Sequence, residues 1–491
     1  MIRHSKLIIV ICFILIICAV EAITADFATE VISYSNLMTG YDNADAVLGM
    51  PSTVFTQADD KTFHCSIVLP AWNDDPPTLD LVASILKNGH IIVKFDEYIY
   101  DDPLNWYGKD FIIFGNSKFR TASTGFIEPT TNMETYYLNG SVDVIHEPMH
   151  VSVSQDGLNW FEYTEGPFAD SYAPMQAYAW DWVNHTWGSR KMDITRPVDP
   201  SIPLTEYAGK SVAEAIDLYK GSAGGTSFDL NTLQNLPVDP ISGRKWIQYI
   251  KVSADITYLV GTITKTYQGE IDSFMRVGHK IDSISIGQAK QLPDDAHVIL
   301  NEAVVSSGTN EVGPYCYIEH TDHSGGIKIM GRALDRGKTV TLYGDMDTID
   351  GERVVQVTGI ETGEDSSVTP VGMPNKSIGG GDFFYHAASP ITGQKGTLGG
   401  TGLNNIGSLV RTWGRVKSVN SMDKIFVIND GSGHPVECIA PPVTPPATYT
   451  LPGQDIYVKV TGISSCKLND QQELVPVLRL RDENDWNEVP E

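Results

Sequence analysis

The chain has 491 residues, of which 42% are hydrophobic, and its 61 acidic and 35 basic side chains leave a formal net charge of −26. This length exceeds what one hydrophobic core usually supports, so we expect two or three domains. The acidic excess repels phosphate backbones and argues against a nucleic-acid-binding protein.

The first 22 residues have the pattern of a secretory signal peptide. Arg3 and Lys6 precede an unbroken apolar run from Leu7 to Val20, and Ala22 supplies the small residue at the cleavage site. The run is shorter than the roughly 20 residues of a membrane-spanning helix, and no later stretch reaches that length. The sequence therefore predicts a signal peptide over 1–22, a secreted, extracellular or cell-surface location, and no transmembrane segment after cleavage.

Residues 23–285 have the sequence pattern of a jelly-roll sandwich. Short runs rich in β-branched and aromatic residues alternate with turn residues, which is typical of β-strands. The predicted strands are 90–96, 110–115, 149–154, 246–253, 270–277 and 281–286. Ser211 and Glu214 form a capping box at the start of an apolar helical pattern that Gly221 ends, which predicts a short helical insertion.

After Gln291 a weak repeat begins, and each copy fits the strand order of an OB-like barrel. The first predicted barrel covers 286–365, with a hairpin turn at Asp350-Gly351, and the second covers 406–491. Residues 366–405 are rich in glycine and form a flexible or irregular connection. The predicted fold is therefore all-β, a jelly-roll sandwich with a short helical insertion followed by two OB-like β-barrels.

Charge decides what the barrels are expected to contact. Barrels of this kind that bind single strands need a basic groove, but residues 293–361 contain five basic and twelve acidic side chains. Residues 406–491 contain eight basic and eleven acidic side chains. We expect protein contacts through both barrels and no nucleic-acid partner.

Four cysteines follow the predicted signal peptide, namely Cys65, Cys316, Cys438 and Cys466. An oxidising exterior permits disulfides, and the last two lie in one predicted barrel. Spacing alone cannot establish the geometry of a bridge, so the pairing of Cys438 and Cys466 stays open.

Several stretches match the patterns of known families. In the first half they are 46–51, 110–116, 147–157, 218–230 and 270–272. Through them this half resembles a family of exported bacterial surface proteins with a discoidin-like or galactose-binding-like jelly roll. Through 402–407 and 411–416 the second half is similar to tandem OB-like modules appended to other exported bacterial proteins. The resemblance implies fold and location better than activity.

The resemblance also implies a structural calcium ion. Galactose-binding-like jelly rolls commonly hold such an ion between an early loop and a late strand. In this sequence Asn43 and Asp45 lie in the early loop, and Glu270 and Asp272 lie in the late strand. Because Ca²⁺ prefers hard oxygen ligands, we expect these four residues to form the metal site.

The segment His146-Glu147-Pro148-Met149-His150 matches the H-E-x-x-H pattern of zinc peptidases. That chemistry needs a helix, but Pro148 interrupts it and the flanking residues alternate as strands do. The pattern therefore predicts β structure in place of a zinc site.

Glycan binding is expected from the aromatic segment 178–187. The candidate ligand-binding residues are Trp180, Asp181, Trp182, Asn184 and Trp187. Flat rings can stack on pyranose faces, and the polar side chains can bond hydroxyl groups. The alternative is that the rings cover an edge of the sandwich.

None of the motifs in the sequence indicates a catalytic site. We therefore expect a non-catalytic extracellular or cell-surface binding or structural protein, with glycan or another surface polymer as partner and calcium as a structural ion. The alternative is an exported hydrolase of polysaccharide or ester substrates, whose site would be assembled from scattered loop carboxylates.

Overall fold

The computed structural model of the chain describes residues 26–73, 79–141, 143–260, 262–389, 391–442 and 449–490. The protein is all-β, with 43% of residues in strands and 7% in helices. The predicted signal peptide lies outside the described residues. In the described part of the chain, no helix has the length and apolarity required to cross a bilayer.

Among the described residues, the N-terminal domain contains sixteen strands and one α-helix. The strands are β1 (Glu30–Leu37), β2 (Val54–Thr56), β3 (Thr62–His64), β4 (Ala83–Tyr100), β5 (Phe111–Gly115), β6 (Lys118–Phe119), β7 (Val144–Ile145), β8 (His150–Ser154), β9 (Phe161–Glu162), β10 (Tyr178–Asp181), β11 (Thr186–Lys191), β12 (Thr226–Phe228), β13 (Trp246–Ser253), β14 (Thr257–Val260), β15 (Ile263–Thr266) and β16 (Gly269–Arg276). Helix α1 is Val212–Asp217, and short 3-10 turns are Ala44–Val47, Trp106–Gly108, Leu204–Tyr207 and Leu230–Thr232.

The main sheet has the strand order β12-β5-β16-β4-β13-β8-β9, and β1 also pairs with β4. Both faces of this sheet are covered. Along β5, Phe111 and Ile113 belong to one buried cluster, whereas Ile112 and Phe114 belong to another. Successive side chains of a strand point to opposite faces, so an unbroken apolar run indicates a strand with an apolar layer on each side.

Helix α1 confirms the predicted helical insertion. The Ser211 hydroxyl accepts a hydrogen bond from the Glu214 amide at 3.2 Å, and the Glu214 carboxylate accepts one from the Ser211 amide at 2.8 Å. Val212 and Ile216 are buried in the same apolar cluster as Ile112 and Phe114 of β5. Local capping and apolar spacing were therefore sufficient to locate this helix.

One predicted strand is wrong. Residues 281–285 have no regular structure, and Ile286 begins helix α2 (Ile286–Ala289). Ser285 and Gln288 form a second capping box, which turns the chain into a helix at the point where apolar alternation had indicated a strand.

The first barrel is a closed ring of five strands. They are β17 (His297–Ser307), β18 (Cys316–Glu319), β19 (Gly326–Met330), β20 (Lys338–Ile349) and β21 (Glu352–Asp365), in the ring order β17-β18-β19-β21-β20. The predicted hairpin turn at Asp350-Gly351 joins β20 to β21 and is confirmed.

The second barrel repeats this order. Its elements are β22 (Val371–Gly372), β23 (Leu409–Asn420), β24 (Ile425–Asn429), β25 (Val436–Ile439), β26 (Tyr457–Leu468), β27 (Leu474–Arg479) and β28 (Trp486–Glu488), with 3-10 turns at Asn375–Ser377 and Glu483–Asp485. Strand β26 pairs with both β27 and β23, so β23 to β27 form a ring. In each ring the third and fifth strands are parallel.

Buried polar contacts join the two barrels. Glu352 on β21 accepts hydrogen bonds from the Tyr317 hydroxyl at 3.0 Å and from the Cys466 amide at 3.3 Å, and it pairs with buried Lys328. The Ser465 hydroxyl also donates to Glu352. These contacts place a charged network of the first barrel against β26 of the second.

No two of the described cysteines are joined by a disulfide. Cys65, Cys316, Cys438 and Cys466 are all buried free thiols. Burial raises the pKa of the Cys316 thiol to about 11 and that of Cys466 to about 12. The described structure therefore holds without a bridge between Cys438 and Cys466.

Candidate functional site

The four residues expected to bind calcium have separate local roles. Exposed Asn43 accepts a hydrogen bond from the Asp45 amide at 3.2 Å and donates one to Asp80 at 3.0 Å. Buried Asp272 accepts from the amide and hydroxyl of Ser52 at 2.9 to 3.1 Å. Burial raises the pKa of Asp272 to about 7 although the Ser52 donors oppose the shift.

Among the described His, Cys, Asp and Glu side chains, two groups of three have ligand atoms within 4.8 Å of one another. Glu270 belongs to one of these groups, whereas Asp45 and Asp272 belong to neither. The structure thus brings Glu270 together with acidic residues that the sequence analysis did not connect to it.

The first group, the carboxylate cluster, consists of Glu147, Asp170 and Glu270. Glu147 lies in the loop between β7 and β8. Asp170 directly follows Ala169, which forms a β-bridge with Met149 of that loop. Glu270 lies on β16 opposite Ser84 of β4, whose hydroxyl donates to its carboxylate at 2.9 Å. Strand pairing therefore assembles this cluster from three distant parts of the chain.

Asp170 is the most constrained member of the cluster. Its side chain is fully buried, and Oδ1 accepts a hydrogen bond from the Ser117 amide at 2.7 Å. Its Oδ2 atom has no hydrogen-bond partner. Burial raises the pKa of Asp170 well above its ordinary value, and the neighbouring Glu270 and Glu147 charges raise it further.

Glu147 is similarly perturbed. Burial, followed by the charge of Glu270, raises the pKa of Glu147 to about 7. Three carboxylates this close cannot all ionise at low cost without a compensating cation. Chemically, the cluster can hold one shared proton or coordinate a hard divalent ion through oxygen.

Glu147 is also the glutamate of the H-E-x-x-H segment. Strand β7 ends at Ile145 and β8 begins at His150, so most of this segment is a loop that leads into a strand, and the structure places no helix there. The His150 ring contacts the Asp255 carboxylate at 2.8 Å.

The second acidic group serves a loop. Asp110 is buried, and its two oxygens accept hydrogen bonds from the Asp102 amide at 3.0 Å and the Leu230 amide at 2.8 Å. Asp229 caps a 3-10 turn by accepting from the Asn231 amide at 2.8 Å. With these oxygens engaged by backbone donors, Asp110 and Asp229 hold the chain segments beside β5 together.

The aromatic segment forms the hairpin β10–β11. Trp180 is buried and donates a hydrogen bond to Glu134 at 2.8 Å, and its ring meets that of Trp187 edge-on. Asp181 accepts hydrogen bonds from the backbone and side chain of Asn184, which closes the turn. The structure therefore brings the predicted residues together in one hairpin.

This hairpin contacts the first barrel. The Trp182 amide donates to the Gly331 carbonyl at 3.1 Å, and the Arg332 guanidinium lies 4.5 Å from the centre of the Trp182 ring. Arg332 also pairs with Asp217 of α1 at 2.7 Å. Glycan binding by the five hairpin residues stays a prediction, and their observed contacts are with neighbouring protein groups.

A cleft at the end of strands β4 and β13 is lined by Tyr98 and Tyr100, and half-buried Trp246 adjoins Tyr98 outside this lining. Tyr98 is 45% exposed, and its ring centre lies 4.1 Å from that of Trp246. The cleft has a volume of about 320 Å³, and Arg244 and Asp102 form an ion pair on its wall. We call it the aromatic cleft.

The charges of the cleft are held in place. Burial acts to raise the pKa of Asp102. Hydrogen bonds from the Leu104 amide and Arg244 outweigh burial and keep this pKa below its ordinary value. Arg276 also lines the cleft, and its Nε and Nη2 atoms have no hydrogen-bond partner among the described residues. The cleft thus combines an exposed ring with fixed donors and acceptors.

Sequence reasoning missed this cleft and the role of Asp170. Two tyrosines two positions apart, Tyr98 and Tyr100, indicated one face of a strand, but only the pairing of Tyr100 with Trp246 brings the third ring to them. No local pattern marks Asp170, because its significance depends on burial beside distant residues.

Comparison with known proteins identifies no family. No model of a protein family and no curated protein matches the chain. The solved structures that are similar to part of it include two whose titles follow. "Crystal structure of the tetrameric p202 HIN2" is 10% identical, with 41% of this chain and 95% of that chain covered and a TM-score of 0.20. "Structural mimicry for functional antagonism" is 13% identical, with 40% and 94% covered and a TM-score of 0.18. TM-scores this low support no inference about the fold or function of this chain.

Proposed function

We propose that this protein is a non-catalytic extracellular or cell-surface protein whose N-terminal domain binds glycan in the aromatic cleft. The observation that carries the proposal is the pairing of exposed Tyr98 with Trp246 beside the Arg244–Asp102 ion pair. Sugar sites commonly combine a flat apolar surface with a few oriented polar groups.

In this proposal the exposed Tyr98 ring, which the neighbouring Trp246 ring holds in place, stacks on the apolar face of a sugar ring. Asp102 accepts hydrogen bonds from hydroxyl groups, and the Arg244 guanidinium group donates them. The ion pair between Arg244 and Asp102 orients both groups before the ligand arrives, which reduces the entropy cost of binding.

The wider architecture fits a modular exported protein. We propose that the N-terminal domain is a galactose-binding-like jelly roll and that the two five-stranded rings are OB-like barrels. The common ring order and the parallel pairing of third and fifth strands support the second assignment. Export rests on the predicted signal peptide, and the barrels are proposed to contact other proteins.

We also propose that the carboxylate cluster holds Ca²⁺ as a structural ion. The unpartnered Oδ2 atom of buried Asp170, next to Glu147 and Glu270, supports this ligand set. Three carboxylates can supply oxygen ligands of the kind that Ca²⁺ prefers, and the ion would compensate their charges. The ion would connect the β7–β8 loop to β16 and stabilise only the folded domain.

The test of glycan binding is a glycan array followed by titration of the strongest binder. Trp246→Ala should reduce affinity by about tenfold or more, because it removes the aromatic pair that holds Tyr98 in the cleft, and roughly 1.4 kcal/mol from such a pair corresponds to that factor. The matched control is Trp413→Ala, since Trp413 is 51% exposed on the second barrel.

Loss of binding in the Trp246 variant with an unchanged melting temperature supports the cleft. Equal binding by both variants and wild type would contradict glycan binding in the aromatic cleft. The hairpin residues Trp182 and Trp187 would then be the preferred candidates for the glycan site. A panel of polysaccharides and esters tests the hydrolase alternative, in which turnover by the purified protein would overturn the non-catalytic assignment.

A further inference from the structure

A second cavity lies at the junction of the two barrels and the segment that connects them. It has a volume of about 480 Å³, within the range of small-molecule sites. The residues that matter for its chemistry are Lys290, Glu319, His323, Met373, Phe383 and Leu403. We call it the junction cavity.

One wall of the junction cavity is formed by two backbones in close contact. A Cβ atom on Gly326 of β19 would clash with the Gly407 carbonyl, and one on Gly407 would clash with Gly326. Gly407 also has a φ of +97°, which favours glycine. The chain that leads into β23 is therefore packed against the first barrel at this point, and its residues Ile406 and Ser408 line the cavity together with Gly326.

The mouth and one side of the cavity are apolar. Leu403 is 90% exposed, Phe383 and Met373 are half-buried, and Val410 and Ile406 are buried behind them. A concave apolar surface of this kind is where the apolar part of a small ligand is commonly buried.

A buried lysine, Lys290, also lines the cavity. Lys290 is 5% exposed, and its Nζ atom donates one hydrogen bond, to the Ile406 carbonyl at 2.6 Å. Among the described residues no carboxylate lies within 4.0 Å of this nitrogen. An ammonium group has three donors, so most of its bonding capacity is unused.

The carboxylate that lines the same cavity is already engaged. Glu319 is fully buried, and its two oxygens contact the Leu409 amide at 2.7 Å and the His323 ring at 3.0 Å. Glu319 therefore does not neutralise Lys290 directly. Burial lowers the pKa of Lys290 to about 8, although the charges of Glu352, Cys466 and Glu319 act to raise it.

We propose that the junction cavity binds a small organic carboxylate, with its anionic group on Lys290 and its apolar body against Met373, Phe383 and Leu403. A buried cation is stabilised by a desolvated anion that also accepts its free donors. The net negative charge of the chain does not oppose this, because screening limits distant charges to about 8 Å.

The experiment measures binding of octanoate and 3-phenylpropionate to the full chain by titration calorimetry at pH 7. Each acid is compared with its amide, which has the same body without the charge. Both acids should bind at least tenfold more tightly than their amides, and Lys290→Met should abolish that preference.

Two further variants keep the test independent of folding. Leu403→Trp changes an exposed side chain at the mouth and should weaken acids and amides alike, whereas Lys376→Met removes an exposed lysine outside the cavity and should change neither. Equal affinity for acid and amide, or no binding of either acid at millimolar concentration, would overturn the proposal. The glycan array is unaffected by either result, because the aromatic cleft lies in the other domain.

Discussion

Replacing Glu147 by glutamine provides the sharpest test of the carboxylate cluster. Without metal, the pKa of Glu147 in the folded protein is raised to about 7 from 4.5 by burial and by Glu270. The folded state then binds this proton more tightly than the unfolded state does. The proton on Glu147 therefore stabilises the metal-free folded state at low pH, and the wild type loses this stability as the pH rises from about 4.5 through about 7.

The size of the effect follows from that difference in pKa. At about 1.4 kcal/mol per pKa unit it amounts to roughly 3 kcal/mol. Solvent still reaches half-buried Glu147, so we reduce the expectation to about 2 kcal/mol. At pH 8 in chelator, Glu147→Gln should be more stable than wild type by that amount, and at pH 4.5 the advantage should disappear.

Calcium should reverse this order. A bound cation favours the ionised carboxylates, and at a free concentration of about 100 times the dissociation constant it stabilises the folded state by roughly 2.7 kcal/mol. That corresponds to several degrees in melting temperature. Glu147→Gln and Asp170→Asn lose a charged ligand and should gain much less from calcium.

Urea denaturation at pH 4.5 and 8, with calcium and with chelator, measures all of these differences. Glu364→Gln, which removes an exposed carboxylate of β21, is the matched control and should follow wild type. An equal response to chelator in wild type and Glu147→Gln would refute the metal site. A Glu147→Gln variant less stable than wild type in chelator at pH 8 would refute the electrostatic account.

Three further outcomes are expected. Glu352→Ala should lower the free energy of unfolding by about 3 to 5 kcal/mol in urea denaturation, because buried Lys328 loses its partner; a change below about 1 kcal/mol would contradict the network. His150→Ala should leave the melting temperature nearly unchanged, and elemental analysis of the wild type should find no stoichiometric zinc. Zinc that is present in the wild type and lost in this variant would instead support a zinc-peptidase site. Fluorescent single-stranded DNA should not bind at physiological salt, and tight salt-dependent binding would show that the acidic excess does not govern the barrels.

Local patterns were sufficient for much of the secondary structure. The predicted strand 246–253 coincides with β13, the predicted strand 110–115 contains β5, and the capping box at Ser211 begins α1. These elements depend on residues near one another in sequence, where alternation and capping act. The strand predicted over 281–286 failed because a capping box at Ser285 outweighed a short apolar alternation.

The sequence alone determined the all-β class, the acidic surface charge and the positions of the principal strands, since each follows from composition or short-range pattern. Only the tertiary structure decided which carboxylates meet. Glu270 lies beside Glu147 and Asp170 because β16 pairs with β4 and the β7–β8 loop folds over that pair, whereas Asp272 on the same strand is satisfied by Ser52. The aromatic cleft likewise exists because β13 places Trp246 opposite Tyr100. Strand pairing joins residues more than a hundred positions apart, and no local pattern encodes that distance.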